Sequence, residues 1–250
     1  MIVPSFDAEE RVGAVIATMP AFVDRIFVVD DASRDGTASV ARDFAVHDAR
    51  VRLLSHRENR GVGAAIVTGY RAALAEPGAA NDAFLVMAGD GQMDPADAAR
   101  VTSPVVRAAA DYVKGNRFRG DAREMPLARR VVGELTSAAT RLATGLAVSD
   151  AQCGYTAIAR AACARLDLDD LWPRYGYPND LLGQLAVRGL RVTDVPISAR
   201  YRGESSGLRP RDVARIFALI ARAAVRVRRA EPAVVRAKEP LSSDFSTESR

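Results

Sequence analysis

Seven short apolar runs rich in β-branched residues alternate with helical patterns along this chain. That alternation is the sequence sign of βαβ units around a mainly parallel sheet, and it restricts the chain to the α/β class. The pattern predicts strands near 1–4, 26–30, 50–55, 83–88, 111–116, 154–159 and 191–197. It predicts helices near 9–19, 36–47, 62–76, 95–108, 126–145, 178–189 and 210–229. Met1-Ile2-Val3 ahead of Pro4 is too short for a buried strand, which points to a start codon upstream. With 250 residues, 48% of them hydrophobic, the chain can bury the core of one sizeable domain and still carry a tail, expected over 230–250 where periodicity is lost.

Several function classes fall away early. Cys153 and Cys163 lack CxxC spacing and a secretory leader, so they imply a reduced compartment and no disulfide framework. His47 and His56 cannot form a zinc site by themselves. No apolar run approaches the roughly 20 residues that span a bilayer, which leaves only peripheral attachment. No nucleic-acid motif or aromatic platform is present.

Within the predicted strand ends, two segments carry chemistry. Val86-Met87-Ala88-Gly89-Asp90-Gly91-Gln92-Met93-Asp94-Pro95 ends an apolar run with a polar cluster. In extended backbone the side chains of Asp90 and Gln92 would share one face, and hard oxygen ligands of this sort suit Mg²⁺ or Mn²⁺ beside a diphosphate. Ile26 to Thr37 repeats the design, with Asp30 and Asp31 delivered at a strand end. Ligands of open α/β sheets bind outside the carboxyl ends of the strands, so all four residues are expected in one cleft, with a carboxylate free to accept from a base imide or ribose hydroxyls. Asp35-Gly36-Thr37 reads as turn and helix cap. Asn59, Gly61 and Gly63 ahead of a helix can either cradle phosphate or pack tightly on the sheet.

Charge is uneven along the chain. Residues 200–238 hold eleven basic residues against three acidic ones. At roughly 100° per residue, Arg211, Arg215, Arg222, Arg226 and Arg229 share one side of a helix, with Val213, Ile216, Phe217, Ile220, Ala224 and Val227 opposite. Such a helix either docks its apolar side with arginines in solvent or lies on an anionic membrane surface.

VPSFDAEE (3–10), VVDDASRDGT (28–37), ENRGVGAAIVTGY (58–70), VMAGDGQMDP (86–95), GNRFRG (115–120) and SDAQCGYTAI (149–158) occur in the order found in inverting family 2 glycosyltransferases of the GT-A fold. Over about residues 1–210 the chain resembles the polyprenyl-phosphate glycosyl synthases, such as dolichyl-phosphate mannose and glucose synthases. The resemblance implies a Rossmann-like GT-A domain over 1–209, a basic amphipathic helix over 210–229, and transfer of a hexose from a UDP- or GDP-linked sugar to a polyprenyl phosphate at the cytoplasmic membrane face. Transfer to a sugar hydroxyl of a glycan or glycolipid, or an idle nucleotide-binding homologue, are the alternatives.

Carried over residue by residue, the resemblance puts Pro4, Phe6, Asp7, Asp30, Asp31, Ala88, Gly89 and Asp90 at the nucleotide sugar and Asp90 and Gln92 on the metal. Asp7 stands at the family's usual Asn, Ala8 at a common Glu, and Ala88 where the family's first metal-motif Asp would be. Asp90, Asp150 and Arg202 are the expected catalytic residues; Arg117, Arg119, Gln152 and Asp180 are expected on the acceptor. Asp150 would act as general base for a hydroxyl acceptor, or orient groups for a phosphate that is already anionic. Arg202 would close on the diphosphate. Asn179 reads as the cap of its helix.

Overall fold

The computed structural model describes residues 1–119, 125–198 and 210–238, the side chains of 128, 210 and 231–238 left aside. Seven strands, β1 (Ile2–Ser5), β2 (Ile26–Asp30), β3 (Val51–Ser55), β4 (Ala83–Val86), β5 (Tyr112–Asn116), β6 (Thr156–Ala159) and β7 (Val192–Pro196), form one sheet in the order β3-β2-β1-β4-β6-β5-β7. Only β6 runs against its neighbours. The chain winds outward from β1 through β2 to β3, then returns to β4 on the other side of β1. The strand order therefore reverses between β1 and β4, the position where α/β sheets open a ligand crevice. Because β6 is antiparallel, the residues just before it arrive at the same edge of the sheet as the residues just after β1, β4 and β5.

Eight helices accompany the sheet among the described residues: α1 (Glu9–Ala17), α2 (Thr37–His47), α3 (Val62–Ala75), α4 (Ala98–Val106), α5 (Leu127–Thr144), α6 (Arg160–Cys163), α7 (Tyr177–Val187) and α8 (Pro210–Lys238). Ile2, Val3, Ile26, Val28, Val29, Leu85, Val86, Val113 and Ile158 make the strands apolar on both faces, as a sheet covered on both sides requires. Each helix adds its own stripe, for example Val12, Val15 and Ile16 of α1 and Ala98, Val101 and Val105 of α4.

Differences from the sequence reading have local causes. β1 continues through Pro4 and is buried over its whole length. Its bonds alternate sides: Phe27 N–H donates to Met1 O, whereas Met87 and Gly89 N–H donate to Ile2 O and Pro4 O. The donor that Pro4 lacks thus falls on the β4 side, where β4 has already ended at Val86. Asp94 caps a 3₁₀ turn, Pro95–Asp97, so the expected helix from 95 starts as an α-helix only at Ala98. α6 was not foreseen, being a single turn. α8 runs to Lys238 rather than 229, past the point where the amphipathic pattern lapses and through Pro232. Residues 239–250 of the expected tail lie outside the described residues.

The orientation of α8 was also not legible. Ile216, Leu219, Ile220 and Ala223 are buried against α5 and α7, whereas Phe217 and Val225, one of them expected on the docking side, are exposed. The basic stripe is turned partly inward. Arg226 donates to Asp180 Oδ1 at 2.7 Å, Arg222 and Arg226 both pair with Asp170, and Arg215 lies over the Trp172 ring at 5.9 Å. Four carboxylate and ring contacts rotate the helix about its axis away from the placement that apolar periodicity alone would select.

Candidate active site

The loops after β1 and β2 are bound to one another. Ala8 N–H donates to Thr37 Oγ1, Glu9 N–H to Asp35 Oδ2, and Gly36 N–H to Glu9 Oε2, at 2.8 to 3.1 Å. Asp35 also accepts from Thr37 N–H at 3.0 Å, so Asp35-Gly36-Thr37 is turn and helix start as expected. Asp7 takes positive φ (48°), accepts from Arg34 N–H at 2.8 Å and pairs with its guanidinium. Arg34 holds the Asp7 carboxyl below its ordinary range, and its guanidinium also lies over the exposed Phe6 ring at 5.5 Å. Phe6, Asp7 and Arg34 therefore form an open surface beside buried Pro4.

Asp30 and Asp31, both buried, have different fates. Asp30 Oδ1 accepts one long bond, 3.3 Å, from Ser33 N–H. Asp31 is filled: Oδ1 meets His56 Nδ1 at 2.6 Å and Arg60 N–H at 2.9 Å, and Oδ2 accepts from Gly61 N–H at 2.7 Å. His56 Nε2 lies 2.9 Å from Thr68 Oγ1, tying the group to α3. Asp31 thus holds the loop ahead of α3. That loop is also packed rather than open to phosphate. Gly61 has φ 97°, and a Cβ there would meet Pro173 O and Arg174 Cγ at 2.6 Å. Ala64 N–H, in the first turn of α3, already donates to Pro173 O at 2.9 Å.

After β4 the chain turns rather than continuing extended. Asp90 Oδ1 accepts from Gln92 N–H at 3.0 Å, and Gly91 has φ 72°, so Asp90 and Gln92 are grouped by a turn and not by a shared strand face. Gly89 is buried against β1, and a Cβ there would fall 2.4 Å from Ser5 Oγ. Close packing on β1 is what requires a glycine there. Ala88 and Asp90 line a cavity of about 180 Å³ together with Pro4, Met93, Gln152, Gly154 and Tyr175. Among the described residues no three His, Cys, Asp or Glu side chains cluster to hold a metal. The donor set of a half-buried carboxylate and an amide oxygen nevertheless fits a hard cation that takes the rest of its shell from phosphate oxygens and water.

The stretch preceding β6 forms the opposite wall. Asp150 is fully buried and receives Arg117 Nε at 2.7 Å and Nη2 at 2.9 Å, plus Arg117 N–H at 3.2 Å. Burial pushes the Asp150 carboxyl up, but the charges of Arg117 and Lys114 and the Arg117 hydrogen bonds outweigh it, and the net direction is down. The edge of Arg117 that carries Nε and Nη2 is thus turned to Asp150. Behind them Lys114, fully buried, donates to Cys153 O at 2.7 Å. Asp194 of β7 accepts from Ser149 N–H, and burial raises its carboxyl. Neither Lys114 nor Asp194 was picked out from the sequence. A lone lysine inside the strand YVKGN of an arginine-dominated chain was the available signal.

Gln152 reaches the cavity and donates to Asn179 Oδ1 at 2.8 Å; Asn179 donates in turn to Thr140 Oγ1 at 2.8 Å. Asn179 is therefore not a cap: Gly176 precedes α7, and Pro178 occupies its first turn. Asp180, expected on the acceptor, is buried and accepts from Trp172 N–H at 2.8 Å and from Arg226. Burial raises its carboxyl, with Trp172 N–H, Arg226 and Arg222 opposing. Arg119 is exposed at the end of the turn that Asn116 Oδ1 closes. Arg202 and the 201–206 loop lie outside the described residues.

A family model described as "Glycosyl transferase family 2" matches residues 1–167. The chain is 31% identical over 211 residues to an undecaprenyl-phosphate mannosyltransferase of Micrococcus luteus, covering 82% of this chain and 85% of that one. It is 28% identical over 216 residues to a UDP-N-acetylglucosamine–dolichyl-phosphate N-acetylglucosaminyltransferase of Methanococcus voltae, with 80% and 85% covered. Among solved structures, glucosyl-3-phosphoglycerate synthase from Mycobacterium tuberculosis, crystallised with Mn²⁺, UDP and glucosyl-3-phosphoglycerate, is similar in fold with a TM-score of 0.65 at 21% identity, covering 90% of this chain and 78% of that chain.

Proposed function

We propose, from the premise that this chain belongs to glycosyltransferase family 2, that it moves a hexose from a nucleotide diphosphate sugar to a polyprenyl phosphate, with inversion at the anomeric carbon. The supporting observation is the cavity itself, where Ala88 and Asp90 after β4 oppose Gln152 and Gly154 before β6 at the reversal of strand order. A donor diphosphate on the first wall puts its sugar toward the second. The named relatives that act on undecaprenyl and dolichyl phosphate give the acceptor class.

Pro4, Phe6 and Asp30 would border the nucleotide. Asp90 and Gln92 would hold Mg²⁺ or Mn²⁺, which when bound supplies positive charge for the leaving diphosphate. The chain's own contribution is placement. The Asx turn at Asp90 sets where negative charge is met, and the Arg117–Asp150 pair holds the wall that the acceptor approaches. A phosphate acceptor is already anionic near pH 7 and needs no proton removed, whereas a hydroxyl acceptor does. The carboxylate suggested as base, Asp150, is ion-paired and held low, and this favours the lipid phosphate over a sugar hydroxyl. Exposed Arg119 would offer a cation to the acceptor phosphate.

Among the described residues no helix is long and apolar enough to cross a membrane, so the enzyme would meet its lipid acceptor peripherally, at the cytoplasmic face where nucleotide sugars are supplied. The test is incubation with labelled UDP- or GDP-hexose, Mg²⁺ and undecaprenyl phosphate. Label should enter the lipid extract with one of the donors; no lipid product with any donor overturns the proposal.

A further inference from the structure

α5 is built inside out for a helix on a water-soluble surface. Its buried side carries Gly133, Thr136, Ser137, Thr140 and Thr144, whose hydroxyls bond back to carbonyls of the preceding turn. Its outer side carries Leu127, Val131, Leu135 and Leu142, exposed by 75%, 46%, 60% and 91%. A solvated amphipathic helix has the opposite arrangement. Leu127 to Leu142 spans about 22 Å at 1.5 Å per residue, long enough to lie along a surface. Arg130 and Arg141 are exposed on the same helix, and Glu134, its exposed carboxylate, is paired with Arg130. α8, which packs on α5, has exposed Arg211, Arg228 and Arg229 of its own.

We propose that this stripe lies in the headgroup region of an anionic bilayer, with the α5 leucines among the acyl chains and the flanking arginines on lipid phosphates. The inference rests on the lipid-phosphate reading of the acceptor and supplies its route of entry. α5 follows Arg117 and Arg119 in the chain and packs against α7, whose Tyr177 and Pro178 line the cavity. The helix that carries the stripe is therefore in contact with an element of the cleft wall. Charge selects a bilayer over a second copy of the chain, because a two-fold contact through this stripe would set its arginines near one another.

Co-sedimentation with vesicles of phosphatidylglycerol and phosphatidylcholine tests the proposal, comparing the intact chain with Leu135→Glu/Leu142→Glu. Both sites are exposed, so the melting temperature should not move. Partitioning of the variant should fall by at least about tenfold, since each leucine loses its buried area and gains a repelled charge. The rate with a short, water-soluble prenyl phosphate should be unchanged. Equal vesicle binding by variant and parent overturns the proposal, as does a parent that ignores vesicles but is a dimer which the substitutions dissociate. Vesicle binding without transfer to any prenyl phosphate would instead remove the acceptor reading and leave the docking surface standing.

Discussion

Arg117 donates through Nε and Nη2 to the two carboxylate oxygens of Asp150, 33 residues away, and the pair is closed off from solvent at the carboxylate. Two residues expected in separate tasks, Arg117 on the acceptor and Asp150 as base or orienting group, thus form a single support for the wall before β6. Asp150→Asn leaves Arg117 with an uncompensated charge at a buried partner. The loss expected is about 3 kcal/mol in urea unfolding, with transfer reduced but not through loss of a base. An unchanged stability would show that the pair carries no structural load.

The same pair predicts a pH dependence with a definite sign. Asp150 titrates below its ordinary value in the folded protein, so its contribution is complete above the unfolded carboxyl value, about 4, and is lost as pH falls through the lower folded value. The stability gap between the parent chain and Asp150→Asn should be constant from about pH 7 to 5 and should narrow below about pH 4. Asp180 has the opposite shift, so titrating its carboxyl destabilises the fold as pH rises through its raised value. Denaturant midpoints measured across pH separate the two.

Asp90→Asn keeps an oxygen to accept the Gln92 N–H but removes the charge. Transfer should fall by about 100-fold or more, and the thermal shift given by UDP with Mn²⁺ should disappear while the melting temperature of the free protein stays in place. Retained activity would remove Asp90 from the metal site.

Ala88 lines the cavity beside Asp90, at the position where the sequence resemblance implies a carboxylate. Ala88→Asp should lower the Mg²⁺ concentration needed for half-maximal activity by roughly tenfold, because one more hard oxygen enters the shell. A metal titration that does not shift would mean that position 88 does not reach the ion.

Arg226→Ala should destabilise the protein by about 3 kcal/mol, since it strips the principal cation from buried Asp180. Arg211→Ala, at an exposed position, should change stability by less than about 0.5 kcal/mol. Chemical denaturation of both variants checks whether the inward arginines anchor α8; equal effects would contradict the docking described.

The fold was largely readable because its signals are local. Apolar runs of strand length and helical periodicity do not depend on what lies across the molecule, and all seven strands appear within a few residues of their expected places. What the sequence did not show is partners that are distant in the chain. Asp31 is filled by His56, Arg60 and Gly61; Asn179 bonds Thr140 and Gln152; Asp180 bonds Arg226. No spacing rule encodes such pairs.

The chain by itself determined that carboxylates arrive at strand ends, that the sheet is mainly parallel and that a polar turn follows β4, since each depends on neighbours within a few residues. Only the tertiary structure decided which donors each carboxylate meets. A buried carboxylate takes whatever donors surround it, because leaving it unpaired away from water is costly. Asp31, Asp150 and Asp180 find those donors far along the chain, whereas Asp90, half-buried at the cavity, accepts from Gln92 two residues on. The antiparallel course of β6, equally invisible in the sequence, brings Gln152 to the opposite wall and completes the cleft.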